Sequence, residues 1–168
     1  PAAPALFGAY SGGTVRLAGA SPIDYSATGF AWYSGTSTFY ATGAGSLVDA
    51  PAVRSFNDGF DDGSGLSTVH YVQALSGGTV RLPNLTTVTV PVRRDDYLHL
   101  NANGGALELP ALATITGGAG FAYFTAQGGS TLSLPALTTT ATPVEFGAYS
   151  GGTLRLAGAA PLTYSAAG

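Results

Sequence analysis

The chain has 168 residues and contains no cysteine, no methionine and no lysine. Without cysteine there is no disulfide framework, no thiolate metal site and no cysteine nucleophile. Charge is scarce too. Charged residues make up 9% of the chain, against roughly a quarter in ordinary globular domains. All six basic residues are Arg, and the net charge is −3. Nothing in this balance favours nucleic acid or an anionic membrane surface. No apolar run reaches the roughly 18 residues of a membrane span. No segment has the 3.6-residue periodicity, caps and length of a helix. The polar surface must therefore come from Thr, Ser, Asn and Gly.

What is present is apolar, bent and repetitive. Hydrophobic residues make up 45% of the chain, enough for a real core, and 25 Gly with 10 Pro supply many bends. One short motif recurs six times. Its clean copies are Gly12–Leu17 (GGTVRL), Gly77–Leu82 (GGTVRL), Gly104–Leu109 (GGALEL) and Gly151–Leu156 (GGTLRL), and looser copies are Gly45–Ala50 (GSLVDA) and Gly129–Leu134 (GSTLSL). The closing residues, Leu17, Ala50, Leu82, Leu109, Leu134 and Leu156, are 33, 32, 27, 25 and 22 residues apart. A short motif at such spacing marks a solenoid.

Each copy alternates polar and apolar residues, which is strand periodicity. A Pro follows at 51, 83, 110 and 135 and turns a corner, since it has no ladder donor. A second run comes next, such as residues 85–90 (LTTVTV). A third is Phe-x-x-Tyr or a variant at 7–10, 30–33, 121–124 and 146–149. Three short strands and three bends in about 22 residues predict one coil of a parallel β-helix. The expected fold is a right-handed, all-β solenoid of about six coils, forming one domain over 1–168. Residues 34–43, 54–65 and 93–97 read as insertions. Residues 146–168 nearly repeat 7–29, which suggests a piece of a longer array. The absence of a helical or polar cap predicts end-to-end stacking of copies or continuation of the coils.

Stacking makes a sharp expectation. Arg16, Asp49, Arg81, Glu108, Ser133 and Arg155 should form one outward file, alternating in sign over its first four members. Such a ladder stabilises register by a few tenths of a kcal/mol per pair.

Candidate functional residues are fewer. Asn57, Asp58, Asp61 and Asp62 offer oxygens and Gly bends to a hard cation such as Ca²⁺, although no Glu closes an EF-hand loop and the plain alternative is a solvated turn. No other cofactor is implied. Arg93 and Arg94, beside Asp95 and Asp96, form a charge cluster that either pairs with itself or contacts a ligand such as a glycan. His70 and His99, on neighbouring coils, would do acid–base work or hold a metal if stacking brings them together. Tyr10, Trp32, Tyr33, Tyr123 and Tyr149 include residues that must point outward, and exposed rings suit the C–H faces of sugars. Core packing accounts for most of the aromatics, with the Phe of each Phe-x-x-Tyr run inside.

The repeat features over nearly the whole chain resemble bacterial extracellular parallel β-helices, as in adhesins, autotransporter passengers and polysaccharide-active enzymes. That resemblance implies a secreted or cell-surface location and contact with glycans. Residues 107–115 (LELPALATI) are also similar to Pro-containing bacterial leucine-rich repeats, but the regular Cys and Asn positions are missing and coil length is uneven. The leading expectation is a non-catalytic structural or binding module of a fibrous protein. The alternatives are a polysaccharide lyase or hydrolase working at the mid-coil insertions, and an ice-binding solenoid. The last needs a regular outward Thr array, and the column Thr14, Leu47, Thr79, Ala106, Thr131, Thr153 is broken twice.

Overall fold

The computed structural model describes residues 5–28, 35–61, 65–156 and 163–164. Its strands form three parallel six-stranded sheets, one strand of each sheet per coil. Sheet A contains β1 (Phe7–Tyr10), β4 (Thr36–Thr42), β7 (Val69–Leu75), β10 (Tyr97–Asn103), β13 (Phe121–Gln127) and β16 (Val144–Ala148). Sheet B contains β2 (Thr14–Arg16), β5 (Leu47–Asp49), β8 (Thr79–Arg81), β11 (Ala106–Glu108), β14 (Thr131–Ser133) and β17 (Thr153–Arg155). Sheet C contains β3 (Ile23–Ser26), β6 (Val53–Asn57), β9 (Thr87–Val90), β12 (Thr114–Gly117), β15 (Thr139–Thr140) and β18 (Thr163–Tyr164). This is a parallel β-helix of six coils. A leucine-rich repeat contributes one strand per repeat, so that alternative is set aside. No helix occurs among the described residues, and none is long and apolar enough to cross a membrane.

The corners follow from the residues at them. Between sheets A and B, Ser11 and Gly12 have φ of 51° and 83°, and Gly13 N–H donates to the Tyr10 carbonyl at 2.9 Å. Two positive φ values closed by that bond make a type I′ turn, which Ser76-Gly77 and Ser150-Gly151 repeat. The second glycine of the motif serves a different need. A Cβ on Gly78 would sit 2.5 Å from the carbonyl carbon of Ala41, one coil back. Between sheets B and C, Val53, Leu85, Leu112 and Leu137 each donate N–H to the carbonyl three residues earlier, at 3.2–3.3 Å. Pro51, Pro83, Pro110 and Pro135 occupy the second position of those turns, where a fixed φ is favourable and no donor is needed.

The core is a set of stacked files. Phe7, Phe39, Val72, Leu100, Phe124 and Phe146 form one inside sheet A, and Ala9, Ala41, Ala74, Ala102 and Ala126 the next, which ends at Ala148, exposed on the last coil. Sheet B contributes Val15, Val48, Val80, Leu107, Leu132 and Leu154. Rings interlock at the N-terminal coils, with Phe7, Tyr25, Phe39 and Phe56 in edge and stacked contacts 4.9–6.3 Å apart.

The predicted charge file is the one found. Arg16 pairs in register with Asp49, Asp49 with Arg81, Arg81 with Glu108, Glu108 with Ser133 and Ser133 with Arg155. Arg16 Nε lies 3.5 Å from Asp49, and Arg81 Nε 2.6 Å from Glu108 Oε2. The broken Thr column of sheet B also has its expected register through Thr14, Leu47, Thr79 and Ala106, and from Thr131 to Thr153.

The insertions need correction. Residues 36–42 are β4, an ordinary sheet A strand in which Phe39 stacks on Phe7, so the extra chain of that coil precedes it. Residues 53–57 are likewise the ordinary sheet C strand β6, and extra chain begins after Asn57. Tyr97 opens β10, leaving 93–96 as the turn before it. The Phe-x-x-Tyr rule also fails in one coil among the described residues, which exclude the run at 30–33. In β13 Phe121 lies on the outer face and Phe124 fills the core, because strand phase there is shifted by an odd number of residues.

Candidate functional site

Sheet A carries an outward aromatic file. Tyr71, His99 and Tyr123 occupy one register position on successive coils, followed by Glu145. The rings stack, Tyr71 on His99 at 5.0 Å and 26°, and His99 on Tyr123 at 4.6 Å and 12°. Neighbouring coils lie about 4.8 Å apart, so identical positions bring planar side chains into contact without adjustment. Rings stacked this closely cover one another's faces. Two residues toward the strand starts, Tyr97 and Phe121 stand side by side, tilted 40° and 34° to Tyr123. These three rings line an open cleft of about 520 Å³ with Arg94, Asp95 and Pro143.

The electrostatics of this face are mild. Burial holds the His99 imidazole below its ordinary value, and Glu145 opposes that only partly. His99 is therefore a neutral, flat surface at neutral pH. Burial also raises the Tyr123 hydroxyl, with Glu145 adding to it. Tyr149 donates its hydroxyl to the Glu145 carboxylate, and that hydrogen bond raises the tyrosine above its usual range. The cleft thus combines aromatic surface, a guanidinium and a carboxylate, the donors and acceptors that meet sugar hydroxyls.

A second polar cluster is sealed. Asp58 follows β6 with inward parity, one residue beyond the Asn57–Thr89 pair, and His70 points inward from β7. Asp58 Oδ1 lies 2.6 Å from His70 Nδ1, and both side chains are about 1% exposed. Asp96 accepts the Thr68 N–H at 2.8 Å beside them. Burial pushes the Asp58 carboxyl up, His70 pulls it back by hydrogen bond and charge, and Asp96 adds to the rise. Phe60 packs 5.8 Å from the His70 ring. The space enclosed by these groups and Pro91 is too small for a water molecule. The pair has proton-transfer geometry, but among the described residues no opening lets a polymer reach it.

The structure separates several residues that the sequence had grouped. His70 faces inward and His99 outward, His99 pairing with Tyr71 and His70 with Leu98, so the two histidines form no site. Of the proposed calcium ligands, Asp58 is committed to His70, and Asn57 accepts the Gly59 N–H at 2.8 Å in a turn. Asp61 lies 3.9 Å from Arg93, and Asp62 is outside the described residues. No group of three or more His, Asp or Glu suited to a metal occurs among the described residues. Arg93 donates to the Leu66 carbonyl at 2.9 Å, whereas Arg94 lines the cleft. Trp32 and Tyr33 are outside the described residues. Tyr10 is 59% exposed at the first coil, against Tyr40 at 5.3 Å, and Tyr149 is 46% exposed at the last. Tyr123 is the one predicted aromatic at the cleft; Tyr97 and Phe121 were missed. Their signal was present in the matched strand starts 97–103 and 121–127, but their face depends on strand phase. Searches against protein-family models, curated proteins and solved structures gave no match to this chain.

Proposed function

We propose that the chain is a non-catalytic structural and binding segment of a secreted or cell-surface fibrous protein, and that the aromatic face of sheet A contacts glycans. The observation that carries this reading is the cleft at which Tyr97, Phe121 and Tyr123 gather beside Arg94 and Asp95. Three rings held on rigid strands offer apolar surface at low entropic cost, and the two charged groups lie at the same opening. The ladder of sheet B and the continuous core support a stiff, rod-like scaffold behind that face.

A glycan array followed by titration of any retained oligosaccharide tests the reading. Tyr97→Ala and Phe121→Ala should each weaken binding by about tenfold, equivalent to ~1.4 kcal/mol. Tyr10→Ala, at the first coil, should change nothing. Retention of no glycan by the wild-type protein would remove the proposal. Copies are further expected to associate end to end, since β1 and β16 each have a single strand neighbour in sheet A among the described residues. A concentration-independent monomer in sedimentation would remove that part alone.

A further inference from the structure

The outward face of sheet C differs from the other two. Its first file begins at Asp24, whose carboxylate accepts the Ser55 hydroxyl at 2.6 Å, and runs on through Ser55, Thr87, Thr114, Thr139 and, by backbone register, Thr163. Its second runs Asn57, Thr89 and Thr116. No register shift interrupts β6, β9, β12, β15 and β18. From Ser55 onward these positions hold no charged side chain; Asp24 closes the file at the first coil and Arg54 flanks it near the corner. Thr87, Thr89, Thr114, Thr116 and Thr139 are half-buried, and none makes a side-chain hydrogen bond among the described residues. By contrast Thr86 and Thr138, one position earlier, spend their hydroxyls on the Arg54 and Ala113 carbonyls.

The result is a mesh of equivalent hydroxyl and methyl groups. Successive coils set one period at about 4.8 Å, and alternate residues along a strand set the other at about 6.7 Å. Thr is β-branched and stiff about χ1, so each side chain presents its two groups with little freedom to lose. A carbohydrate site needs converging groups in a hollow; this surface has parallel, repeating ones. Charges would hold their own hydration shells; none stands among Thr87, Thr89, Thr114, Thr116 and Thr139, and Asp24 lies at the edge of the face, two coils from Thr87. A ligand matching a two-dimensional repeat of free hydroxyls and methyls is itself periodic and hydrogen-bonded, and the repeat is close to that of the oxygens on a prism face of ice.

We infer that the threonine face of sheet C, centred on Thr87, Thr89, Thr114 and Thr116, binds ice. The methyl groups order the water above the mesh and the free hydroxyls join it, so the surface adsorbs to a growing crystal and stops its advance locally. The face spans few coils, so the expected effect is suppressed recrystallisation and faceted crystal growth, not a large depression of the freezing point. This activity is independent of the glycan face on sheet A.

The test is a recrystallisation assay in frozen sucrose, with microscopy of a single ice crystal in protein solution. Wild type should keep grains small and impose facets. Thr89→Tyr/Thr116→Tyr should lose both effects while keeping the wild-type circular dichroism spectrum and melting transition. Thr87→Lys, at the solvent face of a three-strand neighbourhood, serves as a second disruption if the double variant does not fold, with the same loss expected. Tyr97→Ala should leave the ice effects intact. Grain growth equal to that in buffer for wild type, or full activity in both folded mesh variants, would overturn the inference. Loss of activity in Tyr97→Ala would also overturn it, by moving the effect to sheet A.

Discussion

Asp58 and His70, twelve residues apart, meet at 2.6 Å in the interior, where neither side chain is more than about 1% exposed. On the next coil their places are taken by apolar residues: Leu98 is the register partner of His70, and Val90 lies one residue beyond Thr89, the partner of Asn57. Removing one member of a buried pair strands the other, which costs about 3–5 kcal/mol, whereas replacing both with packed apolar groups is often neutral. His70→Leu should therefore destabilise by about 3 kcal/mol, and Asp58→Val/His70→Leu should recover most of that. Urea denaturation of the wild type, single and double variants decides it. A double variant no better than the single one would show that the pair acts through something other than its own desolvation.

The sheet B ladder makes a register-dependent prediction. Arg81 and Glu108 are about 40% exposed, so their pairing contributes little in absolute terms. Glu108→Arg would place like charges opposite each other and should cost about 1 kcal/mol at low salt. Glu108→Gln, which removes the pair without setting like charges together, should cost less, and high salt should shrink the difference between the two variants. Equal stability of Glu108→Arg and Glu108→Gln at low salt would contradict the ladder.

Thr140 is a local flaw in the core. It lies in the inward file of sheet C beside Ile115, about 1% exposed, and its hydroxyl has no hydrogen-bond partner among the described residues. A buried, unsatisfied hydroxyl costs about 1–3 kcal/mol, and valine has nearly the same shape. Thr140→Val should raise stability by about 1 kcal/mol, read as a higher denaturation midpoint with an unchanged slope. A lower midpoint would mean that the hydroxyl has a partner after all.

His99 sets a pH dependence. Burial holds its folded-state value below the ordinary 6.5, so the unfolded chain binds the proton more readily. Stability then rises with pH from the depressed folded value up to about 6.5, and is lost on acidification through that window. Glu145 is the charged group facing it and weakens the effect. His99→Phe keeps the stack between Tyr71 and Tyr123 while removing the titration. The variant's stability should fall less than wild type's between pH 7 and pH 5, and parallel curves would refute the assignment.

The six copies of one motif determined the coil, the three-strand cycle and the file from Arg16 to Arg155, because a solenoid stacks equal positions of its repeat and sheet B keeps one strand length throughout. The Pro corners were legible for the same reason. Inside or outside on sheets A and C was decided only in three dimensions. A strand reverses its faces with a one-residue shift, and the uneven segments before β4, β7 and β10 hide that phase in the linear chain. Hence His70 and His99 part, Asp58 turns inward, and Phe121 joins Tyr97 at the cleft. The threonine mesh is not legible in the linear chain because Thr87-Val88-Thr89 and Thr114-Ile115-Thr116 are ordinary strand sequences until stacking sets them side by side.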